Sequence, residues 1–101
     1  QCWNLQERVV KVVLFVLSLL KETSGPFLII TTSTSLSMWE AEFQHWASNV
    51  NLLVYKGSGD IRGMIRDLEF YNQGGSIMFQ VLLSPSVTVV EVRVTSWCGF
   101  L

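Results

Sequence analysis

The chain has 101 residues, half of them hydrophobic and only 15% charged, with a formal net charge of −1. That length holds one small domain with a modest core. With no basic excess and no Lys/Arg cluster, charge alone does not make it a nucleic-acid binder. Charge this sparse, against about 25% in an average domain, predicts a core element that expects more protein around it. The cysteines, Cys2 and Cys98, stand at opposite ends, which argues against a disulfide framework or metal site and for reduced thiols.

In chain order, apolar residues recur at helical spacing from Leu5 through Val9, Val12, Val13, Val16, Leu17 and Leu20, predicting a helix over 5–21. The valines leave a strand over 9–16 as the alternative. The run at 12–20 (VVLFVLSLL) is nine residues long, too short to cross a membrane, which takes about 20. Arg8 and Lys11 ahead of it mimic a signal peptide, but no small-residue cleavage site follows. Ser24-Gly25-Pro26 breaks the pattern, and 27–32 (FLIITT) reads as a buried strand.

A Ser/Thr cluster follows, and Ser37 with Glu40 has the spacing of a capping box. Behind it Leu36, Trp39, Phe43, Trp46 and Ala47 form an amphipathic, aromatic stripe. Residues 52–55 (LLVY) predict a second strand. After Gly57-Ser58-Gly59, Asp60 is the expected N-cap of a third helix carrying Ile61, Met64, Ile65 and Leu68 on one face. A third strand is expected over 77–83 (IMFQVLL), broken by Ser84-Pro85-Ser86.

Helix and strand alternate, and strands separated by helices pair in parallel through right-handed crossovers. The expected fold is therefore α/β, a three-layer sandwich with a parallel sheet. Ligands in such folds sit at the carboxyl ends of the strands, here 31–35, 55–59 and 84–86.

The residues also resemble a known family. Gly25-Pro26-Phe27-Leu28-Ile29-Ile30, then Ser35-Leu36-Ser37, then Trp39-Glu40-x-Glu42-Phe43-x-x-Trp46-Ala47 are similar to the segment after the nucleotide loop of Swi/Snf-type helicase-like ATPases. That family reads "GPFLIVAPLSTLSNWEREFEKWAP" here. Val54-Tyr55-x-Gly57-Ser58, Ile65-Arg66-x-x-Glu69-Phe70-Tyr71 and Phe79-x-Val81-Leu82-Leu83 look like its "VYxGSxxxRxxIRxxEFY" and "FDVLLTTYE" patterns, commonest in Pickle-type chromodomain remodellers. The likeness implies a partial RecA-like (P-loop NTPase-type) N-terminal lobe over 1–91, followed by an off-pattern tail over 92–101. In the family this lobe binds ATP and Mg²⁺, grips the DNA backbone and, with a second lobe, moves along DNA.

A phosphate cradle needs glycines for close backbone approach, a lysine for the β/γ-phosphates and a Ser/Thr hydroxyl for Mg²⁺. Aligning 15–20 with the family's "FLASLL" puts Leu5, Gln6, Glu7, Arg8 and Val9 where it has "GLGKT". No glycine lies anywhere in residues 1–24, and the Asp-Glu-Ala-His box is absent from the chain. No catalysis, no cofactor and no bound metal are therefore expected of this chain. The lost loop resembles the plant silencing proteins of the Morpheus' molecule type, helicase-like chromatin proteins with a degenerate ATPase domain. That likeness implies a non-catalytic fragment in the nucleus, with chromatin or silencing proteins and the remainder of a helicase-like domain as partners. A fragment of an ATP-dependent remodelling translocase and a small α/β interaction module are the alternatives.

The resemblance places weak DNA-backbone contact at Thr31, Thr32, Ser33, Thr34 and Ser35, where hydroxyls and a helix N-terminus suit phosphates. The family's proline is Thr32 here and its asparagine Met38, and an ordinary strand–helix loop accounts for the same residues. Trp39, Phe43 and Trp46 are read as core rather than as a base-stacking platform, His45 as surface, and Arg62 with Arg66 as a solvated face paired with Asp67 or Glu69 rather than as a DNA contact. Ser84 and Ser86 lack the His/Asp partners of a nucleophile. Residues 87–94 alternate like a strand where the family has a helix, and the remaining tail is expected to order poorly.

Overall fold

The computed structural model describes residues 4–23, 25–88, 91–92 and, in backbone only, 99–100. Cys2 and Cys98 lie outside them, as does most of the tail. The first helix, α1 (Leu5–Leu20), starts at Asn4, whose side chain accepts the Glu7 N–H. Helix rather than strand is chosen because Val9, Val13 and Val16 then fall on one face, and all three are buried.

Gly25 turns the chain into β1 (Phe27–Thr31). Its φ is +86°, and a Cβ there would come within 2.7 Å of the Gln80 carbonyl oxygen, so the position requires glycine. A 3-10 turn (Ser33–Ser35) leads into α2 (Leu36–Trp46). The expected capping box does not form, because the helical path begins at Ser33 and leaves Ser37 inside α2 rather than ahead of it. Next come β2 (Leu52–Val54) and α3 (Gly59–Glu69). The α3 cap is Ser58, whose hydroxyl accepts the Ile61 N–H at 3.3 Å; Asp60 lies in the first turn instead.

The third strand, β3 (Val81–Pro85), begins and ends later than expected. Ser84 and Pro85 continue it rather than break it. The Ser86 N–H donates to Thr31 on β1, so by alternation the Pro85 nitrogen faces the β2 side, where β2 has already ended at Val54. No ladder bond is lost there. Residues 87 and 88 turn away from the sheet rather than extending as a strand. Gly99 and Phe100 form β4 (Gly99–Phe100), a short parallel strand beside β1, so this part of the tail has a place in the sheet.

Among the described residues the sheet order is β2-β3-β1-β4, with every pairing parallel. Alternation along β1 and β3 sorts the core into two. Phe27, Ile29, Val81 and Leu83 face α1 and α2, packing with Val9, Val13, Val16, Leu36, Trp39 and Phe43. Leu28 and Leu82 face the other way, toward Tyr55, Ile65, Phe70 and Phe79. The result is the small α/β sandwich with helices on both faces of a parallel sheet.

The α3 side is the thinner layer. Of its apolar stripe, only Ile65 is buried, while Ile61, Met64 and Leu68 are exposed. The rings of Tyr55, Phe70 and Phe79 fill the space against the sheet, so α3 touches it through a narrow contact. Trp46 likewise departs from the expected core. It is 47% exposed at the end of α2, with its indole N–H donating to Glu42 and its ring edge-on to the exposed His45. No helix among the described residues is long and apolar enough to cross a membrane.

Candidate functional site at the carboxyl ends of the strands

Because the strands run in parallel, the three loops singled out by the sequence gather at one edge. Backbone bonds fix the arrangement: Ser86 N–H to Thr31 O at 3.1 Å, and Tyr55 N–H to Leu83 O at 2.8 Å. Two polar clusters stand there.

The first is the hydroxyl cluster after β1. Thr31 Oγ1 and Ser35 Oγ are 2.6 Å apart, Thr32 Oγ1 lies 2.9 Å from Ser35 Oγ, and the Trp39 indole N–H donates to Thr31 Oγ1 at 3.2 Å. Ser35 is 4% exposed, so its hydroxyl serves the fold. The same ties make Thr31 a support for Trp39. Thr32, Ser33 and Thr34 are exposed, and they alone of the five face solvent at the start of the α2 path. Hydroxyls in that position suit an oxyanion, though Thr32 and Thr34 already lie 3.3 Å from each other.

The second cluster was not foreseen. Tyr55, fully buried at the end of β2, donates its hydroxyl to Glu91 Oε1 at 2.5 Å. Arg62 donates to both carboxylate oxygens, Nε to Oε1 at 2.9 Å and Nη2 to Oε2 at 3.0 Å. Arg66 Nη1 donates to Glu91 Oε1 at 3.0 Å and to the Tyr55 hydroxyl. A third bond, Arg62 Nη1 to Gly57 O at 2.8 Å, fixes Arg62 to the loop ahead of α3. Arg62 and Arg66 therefore pair with Glu91 rather than with Asp67 or Glu69, because their spacing of four residues points both toward Tyr55.

The electrostatics follow from this geometry. The hydrogen bond from Arg62, then that from Tyr55, lowers the Glu91 carboxyl from 4.5 to about 2. Burial raises the Tyr55 hydroxyl above its ordinary range, and its bond to Glu91 adds to this. The bond to Glu91 likewise holds Arg62 above its ordinary value. The sequence did carry a signal, a single carboxylate within the apolar run 87–92, but nothing in it named the partners.

The positions aligned with the nucleotide loop lie apart from both clusters, in the first turns of α1. Asn4 Oδ1 accepts the Glu7 N–H at 2.8 Å, and Asn4 O accepts the Arg8 N–H at 3.3 Å. Leu5, Gln6, Glu7 and Arg8 are exposed, whereas Val9 is 0% exposed and packs into the core. Ser84 is buried, its hydroxyl donating to Pro85 O at 3.1 Å. Among the described residues no group of three or more His, Cys, Asp or Glu side chains has the makings of a metal site.

Known proteins are similar to this sequence. The CHD3-type chromatin-remodeling factor CHR7 of Arabidopsis thaliana is 32% identical over 91 residues, covering 83% of this chain. The chromatin structure-remodeling complex subunit snf21 of Schizosaccharomyces pombe is 32% identical over 73 residues, or 72% of the chain. Human chromodomain-helicase-DNA-binding protein 1 is 39% identical over 61 residues, or 59% of the chain. The chain is a relative of the Swi/Snf-type chromatin-remodelling proteins. No protein-family model matches it. The Swi/Snf likeness covers most of this chain but only 8%, 6% and 4% of those relatives' own lengths.

Proposed function

We propose that this chain is a non-catalytic segment of the first, RecA-like lobe of a nuclear, helicase-like chromatin protein that acts in transcriptional gene silencing. The observation that carries the non-catalytic reading is the build of residues 5–9. A phosphate cradle presents free backbone N–H groups and a glycine-lined approach to the anion. Here the Glu7 N–H is taken by Asn4, and the Glu7 carboxylate lies in the first helical turn, where it would repel a nucleotide. Val9, where the family has the Mg²⁺-binding hydroxyl, is apolar and buried. The silencing role is supported by the likeness of this defective loop to Morpheus' molecule-type proteins, and the chromatin setting by the relatives' names. Weak DNA contact through Thr32, Ser33 and Thr34 is compatible with their exposure at the strand edge.

ATP hydrolysis by the purified chain, with and without duplex DNA, tests this. The expected rate equals the blank in both. A DNA-stimulated rate that disappears in the Arg8→Ala variant would overturn the reading.

A second reading is a piece of an ATP-dependent remodelling translocase. It is favoured by the relatives, whose names speak of remodelling or helicases. The genomic sequence beside this chain separates the two: a Gly-Lys-Thr loop in the same reading frame selects the translocase.

A further inference from the structure

We propose that Tyr55, Arg62 and Arg66 form a carboxylate-binding cradle whose resident ligand is Glu91, and that an acidic segment of a partner protein enters it when Glu91 withdraws. Three observations carry this. The donors converge on one carboxylate: Glu91 Oε1 accepts from Tyr55 Oη, Arg62 Nε and Arg66 Nη1, while Oε2 accepts from Arg62 Nη2. The side-on, two-bond Arg62 contact is the geometry that selects a planar carboxylate.

The cradle is also built without Glu91. Arg62 is held by Gly57 O and Arg66 by the Tyr55 hydroxyl, and Tyr55 is fixed by the second core. All these groups belong to the continuous β2–α3 unit. Glu91 arrives from beyond β3, where Thr88 N–H bonds Pro85 O at 3.2 Å and Glu91 N–H bonds Thr88 O at 3.1 Å. Glu91 is thus the one member from outside that unit, and with its side chain 33% exposed it is the group whose outward rotation would leave the donors in place.

Finally, the site is open to solvent. Arg66 and Glu91 line a surface hollow together with Phe70 and Tyr71. An extended peptide has room there to follow its carboxylate in. Withdrawal of Glu91 leaves Arg66 facing that hollow, with Arg62 behind it, both without their counter-charge, which favours an incoming anion. Because Glu91 competes, the intact chain binds more weakly than a chain without it, by the fraction of time the cradle stands empty.

The test uses hexaglutamate as the probe, titrated against the purified chain and followed by fluorescence anisotropy. Glu91→Ala is expected to bind it saturably and at least about tenfold more tightly than the unaltered chain. Adding Arg62→Lys to that variant is expected to remove most of the gain, because lysine keeps the charge but not the two-bond fork. Circular dichroism checks that each variant is folded. Should Glu91→Ala fail to fold, Glu91→Gln retains a hydrogen-bonding side chain, and it must then bind hexaglutamate more tightly than the unaltered chain. Absence of that gain in the folded variant overturns the proposal. So does full binding by the Arg62→Lys form, or tighter binding of inorganic phosphate than of the peptide.

Discussion

Glu91 sits among three donors, and ionisation strengthens each of its bonds to them. Its carboxyl lies at about 2 instead of 4.5, so it binds a proton less readily folded than unfolded. Its contribution to stability is complete above about pH 4.5 and is lost as the pH falls toward 2. Chemical denaturation across that window should show the unaltered chain losing its advantage over Glu91→Gln as the medium becomes acid. An equal decline in both chains would remove Glu91 from the account. Gly25 and Val9 illustrate residues with one fixed purpose. The first permits the positive φ that brings the chain past Gln80, and the second fills the core.

The helices differ in how firmly they are held. Both α1 and α2 lay whole faces on the sheet, and Phe43 is buried between them and the strands. Phe43→Ala is expected to cost about 3–5 kcal/mol in a denaturant titration. For a chain of this size that is a large share of the roughly 5–15 kcal/mol available. The contrast is Leu68 on α3, which is 67% exposed; its change to Ala should move stability by no more than about 0.5 kcal/mol. Periodicity read both residues alike, since both lie on apolar stripes. It reports which side of a helix is greasy, but whether a sheet reaches that side depends on the rings of Tyr55 ahead of α3, Phe70 at its end and Phe79 beyond it.

Seen whole, the molecule carries apolar side chains on opposite surfaces. Leu14 and Phe15 are exposed on α1, and Ile61, Met64 and Leu68 on α3. A small chain with such stripes and a net charge of −1 has little to keep copies apart. Light scattering should show mass rising with concentration, and Met64→Glu with Leu68→Glu should reduce it. An unchanging monomer mass for the unaltered chain would show that these stripes do not associate.

The sequence by itself determined the alternation of helices and strands, the parallel sheet and the loops at its carboxyl edge. It also determined the absence of glycine around residues 5–9. Each of these is written in local spacing or residue type. The strand end at Pro85 was not legible, because a proline is tolerated there only where β2 has already stopped. Nor was the division of the residues at 31–35, where Ser35 is sealed in and Thr32, Ser33 and Thr34 are left outside, a matter of how α2 folds back over β1. The Glu91 cradle belongs wholly to the tertiary structure. Its carboxylate and its arginines lie 25 and 29 residues apart in the chain, and only the packing of α3 beside the end of β3 brings those charges within bonding distance.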